Sequence, residues 1–414
     1  MTQKQLDKLL ENTFSNWDYD LAIVGGGIVG ATLACALKDS GLKVVVIETK
    51  PLAVAAARKQ AYAMSVLSSR ILTGIGVWPR ILPQIAQFRN ISLSDADYSG
   101  TVQFKLPDLG TPALGYVAEH RVVLTQLQQV ITASTNLNWL CPAQVTGVKY
   151  QESAVEITIE VDGEQRQIRT KLLVGADGAK SRIRQWANIK THGWKYWQSC
   201  VAFTIKHQAS SNDTAFERFW HTGPMGVLPL PGNRCQIVWT QPHAQAKALQ
   251  QLDEQEFLEK LNYYTGDKLG KLELVSDRVV FPVQLMQSDR YIKSRLALVG
   301  DAAHCCHPVG GQGLNLGIRD AAALAQILKE AHQQGADIGD VKILKRYESW
   351  RKRENLIILG FTDFLDRLFS NNWLPIVLVR RLGLWVLGNL RPAKILALQL
   401  MTGLIGRTPQ LAKH

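Results

Sequence analysis

The chain opens its apolar patterning with Asp20-Leu-Ala-Ile-Val24, a short run of the kind shown by a strand buried on both faces. The run breaks at Gly25-Gly-Gly27 and resumes as Ile28-Val-Gly30-Ala-Thr-Leu-Ala-Cys-Ala-Leu37, long enough and small enough in its side chains for a buried helix. Lys43-Val-Val-Val-Ile47 follows as a second buried strand and ends on Glu48. Strand, glycine turn, helix and strand together predict a βαβ unit on a parallel sheet. Two later stretches repeat the buried-strand pattern: Lys171-Leu-Leu-Val-Gly175, followed by Ala-Asp177-Gly178, and Leu296-Ala-Leu-Val-Gly300, followed by Asp301. After a Pro/Gly loop, Leu314, Ile318, Ala321, Ala325 and Leu328 recur at helical spacing and predict a helix to about Gln334.

The intervening patterns differ. Ser65 to Leu72 and Val122 to Ile131 read as helices, and Asp253 to Tyr264 as another. Short strands with Gly and Pro punctuation fill Ile91 to Gly115 and Gln198 to Phe281 and predict a mainly antiparallel sheet. Asp162-Gly163, between two alternating runs, is a hairpin turn signal. The expected division is a discontinuous nucleotide-binding domain (18–80, 116–190 and 284–335), a β-sheet substrate domain (81–115 and 191–283) and a C-terminal helical region (336–414).

Composition adds two constraints. A chain of 414 residues, 46% hydrophobic and 20% charged, is a folded globular protein. Of its net charge of +12, most sits at the end: Lys345 to His414 holds twelve Lys and Arg against four Asp and Glu, in a stretch rich in Leu, Ile, Val and Trp. A basic, apolar tail points to a membrane surface, or to a packed helical cap or oligomer interface, rather than to nucleic acid. No run is long and apolar enough to span a bilayer. The first 17 residues are amphipathic (Leu6, Leu9, Leu10, Phe14) and lack a signal peptide's apolar core. The six cysteines are scattered without metal spacing, and neighbours such as Cys305 and Cys306 pair only with strain. These features predict reduced thiols in a cytoplasmic protein.

The chemistry is concentrated at the strand ends. Gly25, Gly27 and Gly30 fit G-x-G-x-x-G: a tight turn, a close approach to a pyrophosphate, and helix packed on strand. The helix that follows offers unpaired N–H groups to phosphates. Glu48, 18 residues past Gly30, stands where a carboxylate accepts hydrogen bonds from adenosine ribose hydroxyls and disfavours a 2′-phosphate. FAD or NAD therefore suits the site better than NADP. His304 and His307 lack a third ligand in metal spacing, so no metal site is expected.

The order of three motifs carries a resemblance: the glycine turn at 25–30, Asp177-Gly178, and Gly300-Asp301 followed by Pro308-x-Gly310-Gly-Gln-Gly313. From Tyr19 to Arg407 the chain resembles the single-component flavoprotein aromatic hydroxylases of the para-hydroxybenzoate hydroxylase fold. Within them it is most similar to the ubiquinone-biosynthesis hydroxylases, through His304-x-x-His307-Pro308, Gly311-Gln-Gly-Leu-Asn315-Leu-Gly-Ile-Arg-Asp320 and the tail. The resemblance implies an α/β fold: a Rossmann-like FAD-binding domain (GR2-type), an inserted β-sheet substrate domain and C-terminal helices. It implies FAD as cofactor, NAD(P)H and O2 as co-substrates, and hydroxylation of an aromatic, prenylated phenol or quinone precursor, alone or in a quinone-biosynthesis complex. It places Asp301 on the ribityl chain, the loop from Gly300 through Gly310, Gly311 and Gly313 to Asn315 on the flavin, and Asp177, Gly178 and Arg121 near the pyrophosphate. Pro308 and His304 fall on the reacting side. The family's Arg-x-x-Ala-Leu run is replaced by Gln60-Ala-Tyr-Ala-Met64, which leaves Arg58 to supply that charge. A flavin-dependent prenyl reductase or epoxidase and a non-catalytic FAD scaffold remain the alternatives. A halogenase does not, because no W-x-W-x-I-P run is present.

Overall fold

The computed structural model describes residues 18–95, 98 and 100–413. The amphipathic stretch expected in the first 17 residues lies outside them.

The predicted βαβ opening forms as β1 (Tyr19–Val24), α1 (Ile28–Ala36) and β2 (Val44–Ile47). The two later apolar runs form β3 (Glu164–Gly175) and β4 (Leu296–Leu298). All four pair in parallel, in the order β4-β3-β1-β2, and their registers align the C-terminal ends: Val24 lies opposite both Ile47 and Gly175, and Gly175 opposite Leu298. Every residue of β2 and β4 is buried, as their unbroken apolar sequences require. The Asp162-Gly163 hairpin forms with both residues at positive φ (52° and 82°), and strands Val155–Val161 and Gln144–Tyr150 extend this eight-stranded sheet as an antiparallel arm.

The second sheet has nine strands and is antiparallel except where Thr214–Trp220 runs parallel to Asn90–Asp95. Its spine is Thr191–His207, a 17-residue strand that pairs with Arg234–Pro242 on one side and Val279–Ser288 on the other. Asp253 caps the expected helix, which runs Glu254–Thr265, by accepting from the Glu256 N–H at 2.9 Å. A three-stranded sheet, Ala61–Met64, Gly115–Glu119 and Ala86–Phe88, lies outside both larger sheets. The sequence reading did not separate it, because its strands are three to five residues long and lie far apart in the chain.

Four helices complete the chain: α2 (Gln312–Gln333), α3 (Val341–Phe369), α4 (Leu374–Asn389) and α5 (Arg391–Thr402). The tail is fastened to the second sheet by a buried bidentate pair, Arg380 Nε and Nη2 to Asp95 Oδ2 and Oδ1 at 2.7 and 3.2 Å, and by Lys394 to Asp108 at 2.8 Å. Only its inner side is packed. Val377, Arg380 and Leu384 of α4 are buried, whereas Leu374, Leu378, Leu382 and Trp385 are all more than half exposed.

Candidate functional site

Three of the parallel strand ends, on β1, β3 and β4, converge. A Cβ at Gly25 would lie 2.4 Å from the Ala176 carbonyl oxygen, and one at Gly30 would lie 2.0 Å from the Gly25 oxygen. These two glycines exist so that turn, helix and third strand can touch. Gly27 is different: its φ of −68° suits any residue, and a Cβ there would meet nothing within 4 Å. It faces open space at the start of α1, whose first N–H groups have no side-chain cap. Glu48, at the end of β2, accepts from the Gly26 N–H at 2.8 Å and so stands beside the turn. Asp177 Oδ2 accepts from the N–H groups of Arg182 and Ile183 at 2.8 and 3.2 Å, which caps the short helix Arg182–Trp186, while its buried Oδ1 has no partner.

From this point a cavity of about 530 Å³ runs between the two large sheets. Of the expected residues it brings together Gly27, Arg58, Gly178, Asp301, Pro308, Gly310, Gly311, Gly313 and Asn315 along one side. Gly310 and Gly311 are both left-handed (φ 67° and 61°). A Cβ at Gly311 would come within 2.8 Å of Ala63, so the loop seats directly on the Ala61–Met64 strand. Asn315 fixes that seat. Its amide donates to the carbonyls of Ala63 and Gly311 at 2.9 and 2.8 Å, and its oxygen accepts from the Ser65 N–H and the Ser68 hydroxyl, both at 2.8 Å. The uncapped N-terminus of α2 therefore opens on the cavity with its positive dipole end.

Gly25, Gly30, Glu48, Asp177 and Gly300 stand behind or beside this wall and shape it. Two further expected residues lie outside the wall. Arg121 is exposed on the helix His120–Ala133 and is not in the wall; His120, one residue earlier, is. Helix phase decides this: His120 turns inward, with Nε2 3.1 Å from the Ala55 carbonyl and Nδ1 3.4 Å from the Tyr62 hydroxyl. His304, expected on the reacting side, is 1% exposed and lies outside the wall. Its Nε2 bonds Asp320 Oδ2 at 2.5 Å. Asp320 also accepts from the Gly300 N–H at 3.1 Å, Arg351 Nε at 2.8 Å and Asn355 at 3.0 Å. His304 thus belongs to a buried cluster that ties the Gly300–Asp301 turn to α2 and α3. His307 is likewise held inside: burial pushes its imidazole down to about 3, so it is neutral, and its Nδ1 accepts from the Val309 N–H at 3.2 Å.

The opposite wall is the second sheet, closed by the tail helices. Phe361 and Leu365 of α3, Leu387 of α4 and Leu398 and Met401 of α5 all face the cavity, and a Cβ at Gly310 would collide with the Met401 methyl at 2.1 Å. Trp194, Trp197, Trp220 and Trp239 are not among its lining residues: Trp220 and Trp239 are buried and Trp194 and Trp197 are exposed. Residues that sequence reasoning passed over do line it, among them Tyr62, His120 and Glu217. No motif marked His120 or Glu217, and Tyr62 lies inside the Gln60–Met64 run without having been singled out.

Open room at Gly27, two uncapped helix ends, a ribose-side carboxylate and a strand-end Asp301 fit one extended dinucleotide with a ring system beside the Pro308–Gly313 loop. A dinucleotide-binding flavoprotein with an attached substrate sheet is the class this geometry defines. The comparisons agree. Residues 18–355 match the FAD binding domain family. A ubiquinone hydroxylase, UbiL, of Rhodospirillum rubrum is 36% identical over 398 residues, with 94% of this chain and 91% of the relative covered. The 3-demethoxyubiquinol 3-hydroxylase of Escherichia coli is 33% identical over 395 residues, covering 94% of this chain and all of the relative (100%). Among solved structures, p-nitrophenol 4-monooxygenase of Pseudomonas putida shares the fold, with a TM-score of 0.79 at 18% identity over 94% of this chain and 98% of that one. The chain belongs to the FAD-dependent hydroxylases of the ubiquinone-biosynthesis type.

Proposed function

We propose that this protein hydroxylates the ring of a prenylated phenol or quinone precursor of ubiquinone or a related prenylquinone, using NAD(P)H and O2, while resting on a membrane surface. One observation carries the reading: a single cavity of about 530 Å³ joins the dinucleotide-binding glycines to an apolar sheet wall. Bound FAD supplies the oxygen-activating redox chemistry. The chain's own residues position and shield. Gly25, Gly27, Gly30, Glu48, Arg58, Asp177, Gly178, Gly300 and Asp301 hold the dinucleotide. The α2 N-terminus and the Gly310–Gly313 loop would border the flavin ring, where a positive dipole end would stabilise added negative charge. Pro308, at the reacting face, and the apolar side chains of the second sheet and tail keep water from the substrate ring.

The test is lipid-quinone profiling of a strain lacking the protein. An accumulated, under-hydroxylated precursor, and its conversion by purified protein with NAD(P)H consumption and O2 uptake, is the expected result. An unchanged quinone profile, together with no substrate-stimulated NAD(P)H oxidation, would defeat the proposal.

Membrane attachment rests on the outer faces of α4 and α5 and the residue that opens α4. Trp373, Leu374, Leu378, Leu382, Trp385 and Leu396 are each between 57 and 67% exposed, in the region that carries most of the net positive charge. No helix among the described residues is long and apolar enough to cross a membrane. Such a face suits shallow burial among headgroups of anionic lipid. Replacing Leu378, Leu382 and Trp385 by serine is expected to abolish co-flotation with anionic vesicles and leave the flavin content unchanged. Undiminished flotation would show that another surface binds.

A further inference from the structure

The sheet side of the cavity is apolar except for Thr240 and Glu217. Thr240 is engaged with the Cys200 thiol at 3.2 Å. Glu217 is not so engaged. It lies on the strand Thr214–Trp220, opposite Leu93 on one side and Gly226 on the other, and faces the cavity among Phe219, Leu228, Val238 and Phe281. Gly226 leaves room beside it, since even a Cβ there would be 3.6 Å from Glu217 Oε2. Among the described residues no cation pairs with it. The backbone N–H of Gly310, in the loop that bounds the flavin side, lies near enough to favour its charged form.

A carboxylate held in an apolar wall without a counter-ion costs stability. Nothing in the packing requires it, so its use is to be sought in what enters the cavity. It reaches toward the place where the sheet wall meets the Gly310 loop, at the junction of substrate and cofactor space. A carboxylate there accepts a hydrogen bond from a ring hydroxyl and repels a ring carboxylate.

We propose that Glu217 selects the substrate ring: it binds the hydroxyl of a neutral phenol beside the Gly310 loop and rejects rings that carry a carboxylate. This rests on the reading of the cavity as the site of a prenylated aromatic, and narrows it to phenols that lack an acid group. Burial pushes the Glu217 carboxyl up to about 7, against the pull of the Gly310 N–H, so its charge changes near neutral pH. The other titratable groups of the wall, Arg58, Tyr62, His120, Asp301, Cys305 and Cys306, belong to the nucleotide side. On the same face of the sheet, Cys200 feels the charges of both Glu217 and Asp366. Rejection of acids therefore strengthens as pH rises through about 7 and weakens below it, where a protonated Glu217 donates to a carboxylate instead.

The test is equilibrium binding to the flavin-loaded enzyme without NAD(P)H, read from the flavin spectrum. The two probes are 2-prenylphenol and 3-prenyl-4-hydroxybenzoate. Their own groups ionise near 10 and 4, at about the values of free phenols and carboxylic acids, so neither changes its acid or phenol charge between pH 6 and 8. The wild type is expected to prefer the phenol by about tenfold or more at pH 8 and by less at pH 6. Glu217→Gln is expected to bind the phenol several-fold more weakly, to bind the benzoate better, and to lose the pH dependence. A preference that survives in Glu217→Gln, or a wild type that binds both probes equally at pH 8, overturns the assignment of Glu217 alone. If the wild type binds neither probe, both this assignment and the prenylated-aromatic reading fall.

Discussion

Gly30→Ala is expected to purify as a colourless protein with a lowered melting temperature, and Gly27→Ala as a colourless or pale protein whose apo form melts as the wild type does. The two glycines belong to one motif but answer to different constraints. At Gly30 a single methyl would lie 2.0 Å from the Gly25 carbonyl and 3.2 Å from the Ala176 Cβ. The turn must open, which pushes α1 off β3 and spoils the convergence of strand ends. Forcing a methyl into close packing costs about 1–3 kcal/mol. Losing a ligand normally present at about a thousand times its dissociation constant removes about 4 kcal/mol more from the loaded protein. At Gly27 nothing in the protein lies within 4 Å, so the methyl disturbs only what the space receives. Absorbance ratios at flavin and protein wavelengths, with melting curves of apo and FAD-supplemented protein, separate the cases. A yellow Gly30→Ala protein of unchanged stability would show that the turn tolerates what the geometry forbids.

Asp320→Ala is the second large effect, expected to cost about 3–5 kcal/mol, the penalty for removing one partner of a buried ion pair. Arg351 is 1% exposed and Asp320 fully buried; removing the carboxylate leaves the guanidinium to Glu354 and Asn355, orphans the His304 Nε2 and frees the Gly300 N–H. Since Gly300 precedes Asp301, the loss reaches the flavin site as well. Asp320→Asn keeps most of the shape and separates charge from hydrogen bonding. Burial alone would raise the Asp320 carboxyl, but His304 and Arg351 outweigh it and hold it well below the usual carboxylate range. A carboxyl depressed in the folded state contributes its full stabilisation above the unfolded value of about 4 and loses it as pH falls further. The wild-type advantage over Asp320→Asn, measured by denaturant unfolding, should therefore be level from pH 8 to about 5 and shrink below about 4. An Asp320→Ala protein as stable as the wild type would remove the cluster from the fold's support.

The parallel sheet and the glycines and acids gathered at its strand ends were legible in the sequence because their constraints are local. A glycine that must touch the next strand, an acid at a strand end and a helix after a Gly/Pro loop each leave a mark within a few residues. What escaped depends on distant partners or on phase. His304 sits in a suggestive loop, but its role is set by Asp320 and by Arg351 on another helix. Arg121 and His120 differ by one helical step, which sequence spacing alone did not resolve. Glu217 lies in Phe216-Glu-Arg-Phe-Trp220, where nothing distinguishes a cavity carboxylate from a solvated one until Gly226 and Gly310 are placed beside it. The tail read as basic and apolar, with a packed helical cap among its alternatives, but what its inner face covers is set by contacts such as Arg380 to Asp95 across nearly the whole chain.

The order of the strands also sets a schedule for synthesis. β1 can pair with β2 as soon as both leave the ribosome, but its other neighbour, β3, and then β4 and the Gly310 loop are made much later. Until then no complete dinucleotide grip exists, and the nascent chain must carry apolar strand faces without the help of a ligand. Flavin can act only on the finished or nearly finished polypeptide, by drawing the folded population forward through mass action. Riboflavin scarcity in a cell would therefore show itself as a lower steady amount of this enzyme, cleared after translation, rather than as a defect in its earliest folding.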